Sequence, residues 1–169
     1  WTRPSSCESS KTKRCVFHRK GWLMRVVVQR VTQASVSVNK TVLSSIQDGY
    51  VLLVGLKQGD TIQEVEYMAA KVAKLRIFSD KDGKLNLSIR EANGQILSIS
   101  QFTLYGDVSK SNRPGFSTAM NYTEADLLYQ TFNRILEEEY GIIVHHGSFG
   151  EHMEIALVND GPVTILIEK

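Results

Sequence analysis

Few side chains in this sequence have the types and spacing that ordinary hydrolytic catalysis requires. His145 and His146 are adjacent, so on a strand they would point to opposite faces and could not easily share a metal ion. His152 could meet His146 across a loop, but no cysteine or carboxylate spacing completes a zinc site. Thr103 is a hydroxyl in a suggestive strand, yet no base stands near it in the sequence. With no phosphate-binding loop or nucleophile elbow either, we expect no metal and no cofactor.

Two short segments carry the most informative chemistry. In residues 159–164 a Gly-Pro pair interrupts an alternating apolar run, and Pro162 has no amide hydrogen for a sheet ladder. The pair predicts a turn, an edge or a bulge, and a hairpin turn is the simplest interpretation. In residues 96–105 the alternation predicts one strand, with Gln101 and Thr103 ending an otherwise buried face. Polar groups there need hydrogen-bond partners or a ligand.

Together these segments resemble the two signature motifs of the D-aminoacyl-tRNA deacylase family. The resemblance extends from Met24 to the C-terminus, and several separated matches in one order are more specific than either motif alone. The matching segments are Gln29-Arg30-Val31, Arg76-Ile77-Phe78-Ser79-Asp80, Asp82-Gly83-Lys84, Asn86, Ser100-Gln101-Phe102-Thr103-Leu104, Arg113-Pro114 with Phe116, Phe149-Gly150, and Asn159-Asp160-Gly161-Pro162-Val163-Thr164.

The resemblance implies an enzyme that hydrolyses the ester between a D-amino acid and the terminal ribose of tRNA, as a chiral proofreading step. In this family the neighbouring 2′-hydroxyl of the ribose is thought to assist hydrolysis, so the protein mainly orients an ester that is already activated. Glycyl-tRNA would be a further substrate, since glycine has no side chain to reject. The residues expected at the reaction centre are Ser100, Gln101, Phe102 and Thr103.

The resemblance also implies a homodimer that selects the D-enantiomer across the subunit interface. A cis peptide between Gly161 and Pro162 would enter the partner's site, and Arg30 would help to hold this tip. Lys110 and Arg113 would contact phosphates of the tRNA acceptor end. The alternatives are a surface arginine on an edge strand for Arg30 and solvated loop positions for Lys110 and Arg113. Two other functions stay open: a dimeric nucleic-acid- or protein-binding module without hydrolysis, and a metal-dependent hydrolase.

Charge is unevenly distributed along the chain. Residues 1–23 contain six basic residues and one acidic residue, whereas residues 24–169 contain 14 basic and 17 acidic residues. A nucleic-acid enzyme with an acidic body must use a local basic patch or grip only a short end of its ligand. Both cysteines also lie in residues 1–23, so residues 24–169 have no disulfide framework and no thiol nucleophile.

The basic, serine-rich composition of residues 1–23 predicts a segment outside the fold. We expect it to be upstream or tag-like sequence; an organelle transit peptide and an RNA-contacting arm are the alternatives. Residues 24–169 would then form a single domain. No run approaches the length of a membrane span, and we expect the protein to act in the cytoplasm.

Hydrophobic periodicity predicts the elements that position these residues. Runs at 25–31 and 34–38 predict two strands, 50–56 predicts a central strand, and 154–160 and 163–168 predict the last two strands. One helix is expected over 61–75, capped by Asp60, and a second over 123–140. The predicted buried faces are Val65, Met68, Ala69, Val72 and Leu75 in the first helix, and Leu127, Leu128, Thr131, Ile135 and Leu136 in the second. These elements predict an α+β domain. The family resemblance implies a curled, barrel-like, mainly antiparallel sheet flanked by the two helices.

Overall fold

A computed structural model describes residues 24–169. These residues form eight strands, two α-helices and one short 3-10 helix. The strands are β1 (Arg25–Val38), β2 (Thr41–Ile46), β3 (Gly49–Gly55), β4 (Arg76–Ser79), β5 (Leu85–Ser88), β6 (Gln95–Ser100), β7 (Val144–His146) and β8 (Glu154–Glu168); the helices are α1 (Ile62–Lys74), α2 (Tyr122–Glu138) and the 3-10 helix Phe102–Tyr105.

Strand β1 organises the main sheet because it is long enough to pair with three other strands. Along one edge it pairs antiparallel with β2 and β3, and along the other with β8. Strands β3, β6 and β7 follow in parallel, while β4 and β5 form a separate antiparallel pair. The sheet curls until β2 approaches β7, where the Ser44 hydroxyl donates a hydrogen bond to the His146 carbonyl at 3.0 Å. The expected barrel-like α+β fold with two helices is confirmed.

The strands at the centre of the sheet are buried on both faces. On β3, the alternate residues Tyr50, Leu52 and Val54 pack toward α1 and α2. Val51, on the opposite face, joins a second apolar cluster with Leu97 and other residues of β1, β2 and β6. The prediction of a central strand is therefore confirmed, and the end of this rigid pair β3–β6 carries the candidate site.

The two helices differ from their predicted boundaries by one or two residues at each end. Helix α1 is capped by Thr61, not Asp60: Thr61 accepts from the Gln63 amide, and Glu64 bonds back to the Thr61 amide. The Asp60 carboxylate instead accepts from the Lys57 amide at 2.7 Å, so it closes the turn before the helix. Helix α2 begins at Tyr122 with Asn121 as its cap. The predicted buried face of α1 is confirmed in Val65, Met68, Ala69 and Val72, and Leu75 is partly buried.

The predicted face of α2 was partly wrong. Ile135 and Leu136 are buried as expected, but Leu127 is 68% exposed. Tyr129 and Phe132 occupy the buried stripe instead. Tyr129 and Phe132 precede Leu136 by seven and four residues, which matches the helical period. An amphipathic helix was therefore predicted correctly, but its buried face is rotated toward the two aromatic residues.

Three predictions about strands were also wrong. The runs 25–31 and 34–38 are not two strands, because the chain continues through residues 32 and 33 as the single strand β1. The run 96–105 is not one strand: β6 ends at Ser100 because its neighbour β3 ends at Gly55, and the chain then turns into the 3-10 helix. The run 154–168 is not a hairpin. It is the single strand β8, and both of its halves pair antiparallel with β1. Gly161 and Pro162 form a bulge in this strand, where the register shifts opposite β1, and their peptide bond is cis. Among the described residues, no helix is long and apolar enough to cross a membrane.

Candidate active site

The segment 100–104 leaves the end of β6 as a short turn on the surface. The Gln101 amide donates to the Val54 carbonyl at 2.7 Å, which fixes the start of the turn against β3. Phe102 is 58% exposed, and Thr103 is exposed beside it. The Gln101 side-chain amide donates a hydrogen bond to the Thr103 hydroxyl. The strand face predicted for these two residues does not exist, but the turn still brings them into contact.

A pocket of about 410 Å³ opens beside this turn. Ser100, Gln101 and Phe102 form one wall, so three of the four residues predicted at the reaction centre line it. Apolar side chains of β3, β6 and α2 form the floor. Most of the other lining residues come from the segment before β8, namely Phe149, Gly150, Glu151, His152 and Met153, and the rest are Leu56, Met120 and Ile155.

An aromatic cluster that sequence reasoning missed forms the far wall of the pocket. The ring of Phe149 lies 5.0 Å from that of Tyr122, edge to face, and 5.6 Å from that of Tyr129. Gly150 permits this arrangement, because a Cβ there would lie 2.5 Å from the Tyr122 ring. The available signal was the position of Phe149 and Gly150 in the family motif, which did not reveal the two partners on α2.

Apart from Glu151 and His152, the polar groups that line the pocket or lie beside it offer little acid–base chemistry. The Thr103 hydroxyl accepts from the Gln101 amide, which is not a base. The Tyr129 hydroxyl donates to the Ser98 carbonyl at 2.8 Å, and burial raises its pKa, so it stays protonated. In residues 24–169 no three histidine, cysteine or acidic side chains come together as metal ligands. His152 lines the pocket, whereas His146 contacts its own strand end, with Nδ1 3.0 Å from the Gly147 carbonyl.

Arg30 lies at the Gly161–Pro162 bulge and is buried despite its charge. Its Nε is 2.9 Å from the Asp160 carboxylate and donates to the Asp160 carbonyl at 3.3 Å. Its Nη1 donates to the Ile77 carbonyl on β4 at 2.6 Å. The alternative of a surface arginine is therefore wrong: Arg30 ties β1 and β4 to the backbone just before Gly161. Gly161 and Pro162 themselves are exposed.

Within one chain the bulge and the 100–104 turn of the pocket lie at opposite ends of the β1–β3 strand pair. The pocket end is marked by Arg25, which pairs with Gly55 of β3 and hydrogen-bonds to Leu104. The bulge is opposite Arg30 and Val31, at the other end of the same strand pair. Five to six residues of extended strand correspond to roughly 17–20 Å. A single chain therefore does not bring its two signature motifs together.

Lys110 and Arg113 lie on an exposed loop that returns to the pocket. Asp107 and Gly115 close its base with paired backbone hydrogen bonds of 2.8 and 2.9 Å. Beyond this base, the ring of Phe116 packs edge to face on Phe102 at 5.0 Å. The loop therefore holds both cations on the side of the molecule that carries the 100–104 turn, and both side chains are exposed.

The chain is similar to known proteins over most of its length. The family model described as D-Tyr-tRNA(Tyr) deacylase matches residues 27–168. A D-aminoacyl-tRNA deacylase of Exiguobacterium sibiricum is 51% identical over 146 residues, covering 86% of this chain and all of that protein. The enzyme of the same name from Brevibacillus brevis is also 51% identical, with the same coverage.

Two solved structures share the fold. One, of a c-Myc DNA Unwinding Element Binding Protein, superposes with a TM-score of 0.82 at 40% identity and covers 86% of this chain and 98% of that one. A probable eukaryotic D-amino acid tRNA deacylase superposes with a TM-score of 0.75 at 17% identity, covering 86% of this chain and 99% of that one, which shows the fold alone. Because the family model spans most of the chain and the curated relatives match it over their full length, the chain belongs to the D-Tyr-tRNA(Tyr) deacylase family.

Proposed function

We propose that this protein is a D-aminoacyl-tRNA deacylase that hydrolyses the ester of D-aminoacyl-tRNA to free D-amino acid and tRNA. The observation that carries the proposal is the pocket walled by Ser100, Gln101 and Phe102 in a chain that matches curated deacylases over their full length. Because the substrate is made for translation, we expect the enzyme to act in the cytoplasm. Residues 24–169 would be its working unit, with residues 1–23 outside it.

The chemistry asks for orientation more than for a strong catalytic side chain. Water adds to the ester carbonyl, the bond from the carbonyl carbon to the ribose oxygen breaks, and a proton passes to that oxygen with help from the neighbouring 2′-hydroxyl. The amides of Phe102 and Thr103 precede the first intrahelical bond, which Leu104 donates to Gln101 at 3.3 Å. Backbone donors in such a turn can stabilise the developing oxyanion. Thr103 would then orient the substrate together with Gln101.

Selection of the D-enantiomer would come from the Gly161–Pro162 bulge of a second subunit. In this proposal its carbonyl oxygens receive the substrate amino group and leave no room for an L side chain. The separation of bulge and pocket within one chain supports this arrangement, since one substrate could not reach both. The hydrogen bonds of Arg30 would keep the bulge oriented. Glycyl-tRNA would escape rejection and act as a further substrate.

The exposed edge of β8 supports a homodimer. Among the described strands, β8 pairs with β1 alone, so its second edge is open over 15 residues. Val158 and Leu166 on this strand are 48% and 56% exposed. A long apolar edge strand is normally covered, because it otherwise promotes aggregation. A second copy of this chain would cover the edge and bring in the bulge.

The alternative function is nucleic-acid binding without hydrolysis, which is favoured by the 40% identity to a structure named as a DNA unwinding element binding protein. The charge of residues 24–169, with 14 basic and 17 acidic side chains, is a poor match for duplex DNA. Lys110 and Arg113 would form a smaller basic site that suits the single-stranded end of tRNA.

One assay separates the two functions. Pure protein is incubated with D-tyrosyl-tRNA, with and without excess duplex DNA, and released D-tyrosine is measured. The proposal predicts turnover that the DNA leaves nearly unchanged. Duplex DNA binding with no release of D-tyrosine would favour the alternative, and loss of activity in a chelator would favour a metal-dependent hydrolase.

A further inference from the structure

The 3-10 helix Phe102–Tyr105 has little that holds it in place by itself. It is four residues long, and no side chain caps it. A segment of that length is too short to be stable alone, so tertiary contacts must fix its position. Phe102 and Thr103 are exposed, whereas Tyr105 is buried. The start of the turn is fixed by the Gln101 amide, which donates to the Val54 carbonyl on β3. The end of the turn must therefore be fixed through residues 104 and 105.

Arg25, the first residue of β1, contacts that end in three ways. Its Nη1 donates to the Leu104 carbonyl at 2.7 Å. Its guanidinium lies over the Tyr105 ring, 5.0 Å from the ring centroid. Its backbone amide hydrogen-bonds the Tyr105 phenol. Arg25 is therefore joined to two consecutive residues of the 3-10 helix, about half the chain away in sequence.

Two residues, Glu168 and Gly55, lie beside the contacts between Arg25 and the 3-10 helix. Glu168, at the end of β8, lies 2.7 Å from Arg25 Nε, a charge contact in which Nε makes no hydrogen bond. Gly55, the residue that pairs with Arg25 on β3, lets the turn approach closely. A Cβ there would lie 3.1 Å from Leu104 Cβ and 3.1 Å from the Tyr105 ring. The Arg25 and Glu168 side chains are 35% and 25% exposed, so their ion pair adds little stability.

We propose that Arg25 is a positioning residue for the deacylation reaction: it clasps Leu104 and Tyr105 and thereby sets the 100–104 turn against the substrate ester. The proposal rests on the proposed function, since it gives the turn its role in catalysis. Arg25 touches neither substrate nor reacting atoms. Its effect is to keep the backbone donors of the turn within the narrow geometry that transition-state stabilisation requires.

Substitution at Arg25 should therefore affect the chemical step more than substrate binding. In Arg25→Ala, kcat on D-tyrosyl-tRNA should fall about tenfold while KM changes less than about twofold. Arg25→Lys keeps the positive charge near Glu168 but lacks the several N–H donors of a guanidinium. Its kcat should therefore lie between those of wild type and Arg25→Ala. Glu168→Gln should cause a loss of about threefold or less, because the carbonyl contact remains. Arg134→Ala, on the exposed face of α2, is the matched control and should behave as wild type.

Hydrogen exchange tests the same inference without using activity. In Arg25→Ala the hydrogen-bonded amides of Leu104 and Gly106 should exchange at least about tenfold faster, while those of β3 keep their protection. Wild-type kcat in Arg25→Ala, or exchange that accelerates equally in β3 and in the turn, would overturn the proposal. If the wild-type protein released no D-tyrosine, the proposed function would fail, and the exchange result would still decide whether the clasp exists.

Discussion

At the scale of single residues, the Thr103 hydroxyl decides between two mechanisms. It is exposed and bonded to the Gln101 amide, an arrangement that suits orientation of a substrate but not activation of a nucleophile. Thr103→Ala should therefore lower kcat/KM by about tenfold, whereas loss of a true nucleophile typically costs about 10⁴-fold or more. Single-turnover rates measure the loss. A covalent acyl-threonine detected by mass spectrometry would contradict this role.

Asp60 gives a prediction about pH. It is 6% exposed, and burial raises its pKa to about 6, so the folded state binds its proton more tightly than the unfolded chain. The stability linked to this proton is fully present below about pH 4 and is lost as the pH rises through about 6. Asn does not titrate, so the Asp60→Asn variant does not lose this stability as the pH rises. Its side-chain amide oxygen can still accept the hydrogen bond from the Lys57 amide. Its stability relative to wild type should therefore rise between about pH 4 and about pH 7, by up to about 3 kcal/mol.

Urea denaturation of both proteins at several pH values and one protein concentration measures this difference. A stability difference that stays constant across the range would mean that Asp60 does not carry the titration.

At the scale of elements, hydrophobic periodicity predicted strands correctly where the neighbouring strands in the sheet continue alongside them. The central strand β3 and the buried stripe of α1 were correct because continuous or 3.6-spaced apolar residues specify them directly. The turn at 102–105 was missed because its apolar residues still alternate, and only the end of β3 shows where the ladder stops. The single strand β8 was missed because a Gly-Pro pair is common in turns, whereas here long pairing with β1 overrides it.

The part of the candidate site that is built from neighbouring residues could be predicted from the sequence, whereas the part that depends on distant contacts could not. Ser100, Gln101 and Phe102 could be predicted from their motif because neighbouring residues form that wall of the pocket. Tyr122 and Tyr129 lie on a different element from Phe149, and only the folded chain brings the three rings together. The role of Arg25 could likewise not be predicted from the sequence, because its contacts with residues 104 and 105 span about half the chain.

Arg30 gives a prediction at this scale because it joins three strands. Arg30→Lys keeps one positive charge but cannot reach both the Ile77 carbonyl on β4 and the Asp160 groups on β8 in the same way. The bulge should lose its fixed orientation, and kcat/KM on D-tyrosyl-tRNA should fall about tenfold or more. Thermal unfolding serves as the control for folding. Wild-type activity in a folded Arg30→Lys variant would show that the arginine is not needed to orient the bulge.

At the scale of the whole molecule, the proposed mechanism requires two chains for each active site. Gly161→Ala should disable the bulge, because Gly161 has a φ of +120° and a Cβ there would lie 2.8 Å from Val163 Cγ2. Gln101→Trp should block the pocket that Gln101 lines. Each variant alone should be inactive. After subunit exchange in an equal mixture, about half of the dimers are mixed and each has one intact site, so activity should recover to about a quarter of wild type.

Mass spectrometry of intact dimers shows whether mixed dimers have formed. Mixed dimers that remain inactive would mean that bulge and pocket act within one chain, against the separation of roughly 17–20 Å expected along β1.

The central claim is stereoselective hydrolysis, and the most direct measurement compares two substrates that differ only in chirality. D-tyrosyl-tRNA and L-tyrosyl-tRNA are prepared on the same tRNA, and their deacylation by the same enzyme is followed under kcat/KM conditions. The proposed mechanism predicts a D-to-L ratio of at least about 10³, since an excluded side chain costs several kcal/mol in the transition state. Equal rates for the two esters would contradict it.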